Sequence, residues 1–131
     1  LEANFSLSEK ELTNNSIGTL LKIKKQLIWL NLTDSNVSDD NLKKIGELER
    51  LMKLNLSKTK ISDKGLSHLE KLEKLESLNL FRTKVSNELI NVIPKLPNLK
   101  RLYLSESNAT EGIVSQLKKS KQDLEIIFDS K

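Results

Sequence analysis

From Leu27 onward the apolar positions of the chain recur every 24 residues. The copies read LIWLNLTDSNVSDDNLKKIGELER (27–50), LMKLNLSKTKISDKGLSHLEKLEK (51–74), LESLNLFRTKVSNELINVIPKLPN (75–98) and LKRLYLSESNATEGIVSQLKKSKQ (99–122). Positions 1, 4, 6, 11, 16, 19 and 22 of each copy are apolar throughout, with Ser120 the one exception. A repeat of this length marks a solenoid, because no single unit can bury its own apolar side and each must stack on the next.

The spacing changes within each copy. WLNL, KLNL, SLNL and RLYL alternate with period two, as a half-buried strand does, so the leucines at positions 4 and 6 face inward and positions 3, 5 and 7 outward. The second half spaces its apolar residues by three, as in Leu66, Leu69 and Leu72 or Ile90, Ile93 and Leu96, and this predicts a helical stripe. Ser38, Ser62, Ser86 and Thr110 stand just before that stripe as N-caps. Asp39, Asp63, Asn87 and Glu111 follow, the acidic ones complementing the helix dipole. Pro94 and Pro97 are expected to end or distort the third helix early.

One strand and one helix per copy require parallel strands with the helices on the opposite side. Helices take more lateral room than the ~4.8 Å between strands, so the stack must curve with its sheet on the concave face. The expected fold is α/β, one repeat domain over 1–131 with a concave parallel sheet and convex helices. Residues 1–26 read as a degenerate first unit: an offset of 25 aligns Phe5, Leu7, Leu12, Ile17, Leu20 and Ile23 with the core slots of the next copy. Four full units occupy 27–122, and 123–131 supplies a last strand, with Ile126 and Phe128 in the inward slots.

Composition narrows the function without naming it. Hydrophobic residues make up 37% and charged residues 31% of the 131, and the formal net charge is +4. The lysines alternate with glutamates, as in HLEKLEKLE, which is how a solvated face reads, and the one dense run of Lys118, Lys119 and Lys121 is too short for a phosphate-tracking stripe. Nucleic acid is therefore not an expected partner. With no cysteine, disulfides and thiolate chemistry are excluded. No apolar run approaches the ~20 residues of a membrane span, so this fragment is not expected to insert in a membrane. The chain opens at Leu1, which reads as an excised or processed fragment.

The units LNLSKTKISDKGLSHLEKLEKL and LNLFRTKVSNELINVIPKLPNL resemble leucine-rich repeats, whose hallmark is LxxLxLxx(N/C)xL. The resemblance covers essentially the whole chain and implies a horseshoe-like right-handed βα superhelix. At the slot of the usual asparagine stand Ser35, Thr59, Thr83 and Ser107, where a hydroxyl is expected to tie successive loops together more weakly. The LxLxxTxIxDxGLxxLxxL style resembles a bacterial subgroup. The ending PNLKRLYLSESNATEGIVSQLKKSKQDLEIIFD is similar to repeat tails of bacterial membrane-associated proteins with cytochrome c-type domains, which would imply an extracytoplasmic location. Nothing in these residues binds haem, and no cofactor or metal is expected.

Leucine-rich repeat proteins mostly bind protein or peptide partners on the concave sheet, so the outward positions carry the candidate site. Position 3 runs Asn4, Trp29, Lys53, Ser77, Arg101 and Glu125; position 5 runs Ser6, Asn31, Asn55, Asn79, Tyr103 and Ile127. Position 7 runs Ser8, Thr33, Ser57, Phe81, Ser105 and Asp129, and position 8 adds Glu9, Asp34, Lys58, Arg82, Glu106 and Ser130. Phe81, Arg82, Arg101, Tyr103 and Ile127 are expected to form a basic–aromatic patch, and Trp29 with Lys53 a second contact point; Tyr, Trp and Arg are enriched in interface hot spots. Aromatic residues also simply suit strands. Asn31, Asn55 and Asn79 either bridge to one another or present their amides to a ligand. Catalysis is not expected: His68 is the only histidine, and Asp39, Asp40, Asp63 and Glu70 read as caps or surface charge. The leading expectation is a non-catalytic interaction module. The alternatives are a structural or dimerisation tail of a larger bacterial membrane-associated protein, and the recognition domain of an enzyme whose catalytic part lies elsewhere.

Overall fold

The structure, a computed structural model, describes residues 3–6 and 14–129, with side chains described from residue 18 to 129. Leu7, Ser8, Glu9, Leu12 and Ser130 therefore lie outside the described residues, as do the side chains of Asn4, Phe5, Ser6 and Ile17. Strands β1 (Ala3–Ser6), β2 (Leu27–Asn31), β3 (Lys53–Asn55), β4 (Ser77–Asn79), β5 (Arg101–Tyr103) and β6 (Glu125–Ile127) alternate with helices α1 (Asn14–Lys22), α2 (Asp39–Ile45), α3 (Asp63–Leu66), α4 (Leu89–Val92) and α5 (Glu111–Ser120). The strands form one parallel sheet in sequence order. The expected α/β solenoid is the observed one.

Register follows the repeat. Trp29, Lys53, Ser77, Arg101 and Glu125 stand opposite one another on β2 to β6, and Asn31, Asn55, Asn79, Tyr103 and Ile127 form the next row. At the first junction the offset is 25, with Asn4 beside Trp29 and Phe5 beside Leu30, after a shift between Ala3 and Asn4. Backbone pairing runs on past the strands, as where Leu56 and Lys58 donate to the carbonyls of Asn79 and Phe81 at 2.9 and 2.8 Å. The inward leucines of β2 to β5 (Leu30, Leu54, Leu78 and Leu102) are at most 2% exposed. Burying each stabilises the fold by roughly 1.5–3 kcal/mol, an upper figure because the unfolded chain is itself partly collapsed.

Strands β2 to β5 each lead into a turn that places a non-glycine residue in the left-handed region: Asp34, Lys58, Arg82 and Glu106 have φ of 55–59°. The hydroxyl one residue later seals the turn. Thr59 Oγ1 donates to the Leu56 carbonyl at 2.7 Å, Thr83 Oγ1 to Leu80 at 2.8 Å and Ser107 Oγ to Leu104 at 2.7 Å. These bonds lie within one copy, so the hydroxyls do not link successive loops as the sequence suggested. A shorter side chain reaches only its own turn.

The tie between copies lies elsewhere. Asp39 Oδ1 accepts from Ser62 N at 2.7 Å while its Oδ2 accepts from Ser62 Oγ at 2.6 Å. Asp63 holds Ser86 in the same way, at 2.7 Å in both bonds. Asp39 thus grips the N-cap serine of α3 as well as facing its own helix dipole, whereas Asp63 grips Ser86, which the sequence read as a cap but which stands three residues before α4, whose N-cap is Glu88.

The helical stripe departs from expectation in the last two copies. Spacing by three suits Leu66, Leu69 and Leu72 because α3 tightens into a 3₁₀ segment (Ser67–Lys71), which has three residues per turn. In the third copy a turn at 87–88, closed by Leu89 N to Ser86 O and Ile90 N to Asn87 O at 3.2 Å each, delays α4 until Leu89. Leu89, Val92 and Ile93 are then buried and Ile90 is 36% exposed, so Ile90 is not the core residue expected; a 3₁₀ turn (Ile93–Lys95) carries Pro94. The helix of the fourth copy, α5, is α-helical throughout, and Ile113 and Leu117, four apart, are buried while Val114 is only partly so and Ser120 is exposed.

Candidate protein-interaction face

The face of the sheet turned away from the helices is assembled by strand register. Trp29 on β2 is 42% exposed, the most exposed large apolar residue among those described, and the Lys53 ammonium lies 5.7 Å from its ring centre. An exposed cation–π contact of this kind contributes about 0.5–1 kcal/mol and holds both side chains at the surface. Roughly 10 Å away, two strand spacings on, begins the second cluster. Tyr103 and Ile127 stand side by side on β5 and β6, both half-buried, with Arg101 two residues earlier on β5. Phe81, just past β4, is half-buried with the Arg82 guanidinium 5.4 Å from its ring centre.

Charge in this cluster is balanced rather than basic. Arg82 Nε lies 2.6 Å from Glu106 Oε2, and Arg101 Nε lies 2.7 Å from Glu125 Oε1. Hydrogen bonding and the nearby charge of Glu106 hold the Arg82 guanidinium above its ordinary pKa. Hydrogen bonding to Tyr103, then the charge of Glu125, does the same for Arg101. The expected basic–aromatic patch is an aromatic patch with compensated arginines, because each glutamate occupies the same repeat slot one copy further on. Those pairs were readable as opposite charges 24 residues apart in one column. Between the two clusters Lys53, Glu76, Ser77, Lys100, Arg101, Tyr103 and Glu125 line an open groove of about 440 Å³.

The asparagine oxygens do not bridge from copy to copy. Asn31, Asn55 and Asn79 each turn Oδ1 onto their own chain, accepting from Thr33, Ser57 and Phe81 N–H at 3.0–3.1 Å. The side chains thus terminate the strands and prepare the turn that follows. The sequence placed Lys58 on the outward face without singling it out and passed over Lys60 and Lys84; all three sit exposed on the turns beyond β3 and β4. Their signal was the pair SKTK and FRTK in successive copies.

On the convex side His68 is half-buried, and among the described residues no three His, Cys, Asp or Glu side chains gather as metal ligands would. No helix among the described residues is long and apolar enough to cross a membrane.

No protein-family model matches the chain, and no curated protein does. Solved structures do. An internalin (inlF) of Listeria monocytogenes is 32% identical, with a TM-score of 0.67 over 81% of this chain and 29% of its own. Internalin C2 of the same organism is 22% identical, with a TM-score of 0.73 over 96% of this chain and 51% of its own. A leucine-rich repeat protein of Leptospira interrogans is 25% identical, with a TM-score of 0.61 over 79% of this chain and 26% of its own. The chain thus spans about half, or less, of the structures it matches. These matches lend nothing to the similarity with cytochrome c-type tails. Repeat pattern, sheet register and structural neighbours agree that the chain is a leucine-rich repeat solenoid.

Proposed function

We propose that the chain is a protein-interaction module whose sheet face binds a protein or peptide through two anchor clusters, Trp29 with Lys53 and Phe81, Arg82, Arg101, Tyr103 and Ile127. The observation that carries this reading is the exposure of Trp29 on the sheet, with an aromatic second cluster in the same register. Tryptophan, tyrosine and arginine side chains are the types that carry most binding energy where they lie at a contact surface. The fold agrees, since leucine-rich repeat and internalin-type solenoids typically serve as interaction modules. A hydrogen-bonded parallel sheet also presents its anchors with little backbone ordering to be done on binding.

The test begins with peptides selected from a random display library on the intact chain. Trp29→Ala and the double variant Phe81→Ala/Tyr103→Ala are each expected to weaken the selected ligands by at least about tenfold, which corresponds to about 1.4 kcal/mol or more per cluster. Ile90→Ala, on the helix side, is expected to change nothing. Equal affinity across all three variants would remove the sheet face as the binding surface.

A further inference from the structure

The chain segments that follow β3 and β4 run side by side. Lys58 N donates to the Phe81 carbonyl at 2.8 Å, Lys84 N donates to the Ile61 carbonyl at 3.0 Å, and Ser62 bridges to Lys84. This brings Lys58 and Lys60 of one copy beside Arg82 and Lys84 of the next, four exposed cations on two adjacent turns. The buried hydroxyls of Thr59 and Thr83 between them anchor the turns, so the ridge is rigid at its base. Arg82 is paired with Glu106, but no carboxylate among the described residues lies within ion-pair distance of Lys58, Lys60 or Lys84. Asp63, the acid nearest Lys60 in sequence, is committed to Ser86.

The same two slots in the flanking copies hold Asp34 with Asn36, and Glu106 with Asn108. The ridge is thus basic only across its two central turns and bounded by a carboxylate on each side. That pattern fits a short anion. A nucleic-acid backbone carries a phosphate every few ångströms and would meet Asp34 or Glu106 as it left a ridge only two strand spacings, roughly 10 Å, wide. An acidic peptide segment can place its carboxylates in the centre and end, or change sign, at the rims.

We propose that this ridge docks an acidic segment of the protein or peptide that lies on the sheet face. The inference rests on the interaction-module reading above and deepens it by naming the partner's chemistry. Opposed charge at such a rim speeds encounter and selects the partner more than it adds affinity.

The test follows amide NMR shifts of the intact chain at low ionic strength. The probes are a decapeptide alternating glutamate and glycine, its glutamine counterpart and a single-stranded oligothymidylate. Shifts from the glutamate peptide are expected to centre on Lys58, Lys60, Arg82 and Lys84, to be absent with the glutamine peptide, and to fade as the screening length falls to about 8 Å at physiological salt. The double reversal Lys58→Glu/Lys84→Glu is expected to weaken the glutamate peptide by at least about tenfold, while Lys43→Glu/Lys44→Glu on α2 leaves it unchanged. Shifts spread equally over Lys43, Lys44, Lys118 and Lys119, or tighter binding of the oligothymidylate, would overturn the assignment. Selected peptides that still respond to Trp29→Ala, with no effect of the glutamate peptide on the ridge, would sink this inference alone and leave the sheet-face reading standing.

Discussion

Gly65 lies hard against Asp39: a Cβ built on the glycine would stand 2.5 Å from Oδ1 of that aspartate, the oxygen that accepts the Ser62 backbone N–H. It would also stand 2.8 Å from Leu42 Cδ1 and 2.9 Å from Asp39 Cα, so α2 and α3 approach as closely as they do only without a side chain there. Gly65→Ala is expected to lower the unfolding free energy by about 1–3 kcal/mol, the usual cost of overpacking. Gly112→Ala meets nothing nearer than Thr110 Oγ1 at 3.7 Å and is expected to be neutral or to stabilise by up to about 1 kcal/mol. Urea unfolding of the two variants makes the comparison.

The aspartate grip itself is testable in the same assay. Asp39→Ala removes both acceptors from Ser62, and Asp63→Ala removes both from Ser86. Each is expected to cost about 1.5–3 kcal/mol, the range for hydrogen bonds to a charged group. Asp40→Ala, one residue from Asp39 and exposed, is expected to stay within about 0.5 kcal/mol of the parent. Equal effects at Asp39 and Asp40 would show that helix-dipole charge, and not the grip, accounts for the aspartate.

Backbone strain gives a prediction of opposite sign. Lys58 sits at φ 58°, a region that costs an L-residue roughly 1–2 kcal/mol and glycine almost nothing. Lys58→Gly is expected to raise stability by up to about 1 kcal/mol, part of the relief being offset by the greater freedom of glycine in the unfolded chain. Lys58→Val is expected to lower it, since a β-branched side chain fits that region worst. The glycine variant separates fold from binding, because it strengthens the domain while removing one cation of the ridge.

What the sequence made legible was whatever the 24-residue period controls. Strand pairing follows it from Trp29 to Glu125, and the outward rows are those read from the letters alone. Helix phase was not legible, because spacing by three describes a 3₁₀ turn and fails where α5 winds at 3.6 residues per turn, as Ile113 and Leu117 do. Ile90 left the core because a turn at 87–88 delayed its helix, and no residue type announced that delay. In the candidate site, Trp29 and Tyr103 were found from their slots, whereas the compensation of Arg82 and Arg101 needed each column to be compared with itself one copy on.

Those ion pairs are expected to matter for recognition rather than for stability. Side-chain exposure is 58% and 27% for Arg82 and Glu106, and 53% and 58% for Arg101 and Glu125, so solvent screens both strongly. Glu106→Gln and Glu125→Gln are expected to leave the thermal midpoint unchanged within error. Glu106→Gln is expected to tighten the glutamate peptide by freeing Arg82 beside the ridge, measured by calorimetric titration against the parent.

The most direct measurement is an amide NMR map of the chain titrated with a peptide selected on it. Recognition by the sheet face predicts shifts gathered on β2 to β6 and the turns beyond them, centred on Trp29, Lys53, Phe81, Arg101 and Tyr103, with α2 and α5 silent. Shifts centred instead on Ile90, Gln116 and Lys119 of the helix side, with Trp29 and Tyr103 unmoved, would contradict it.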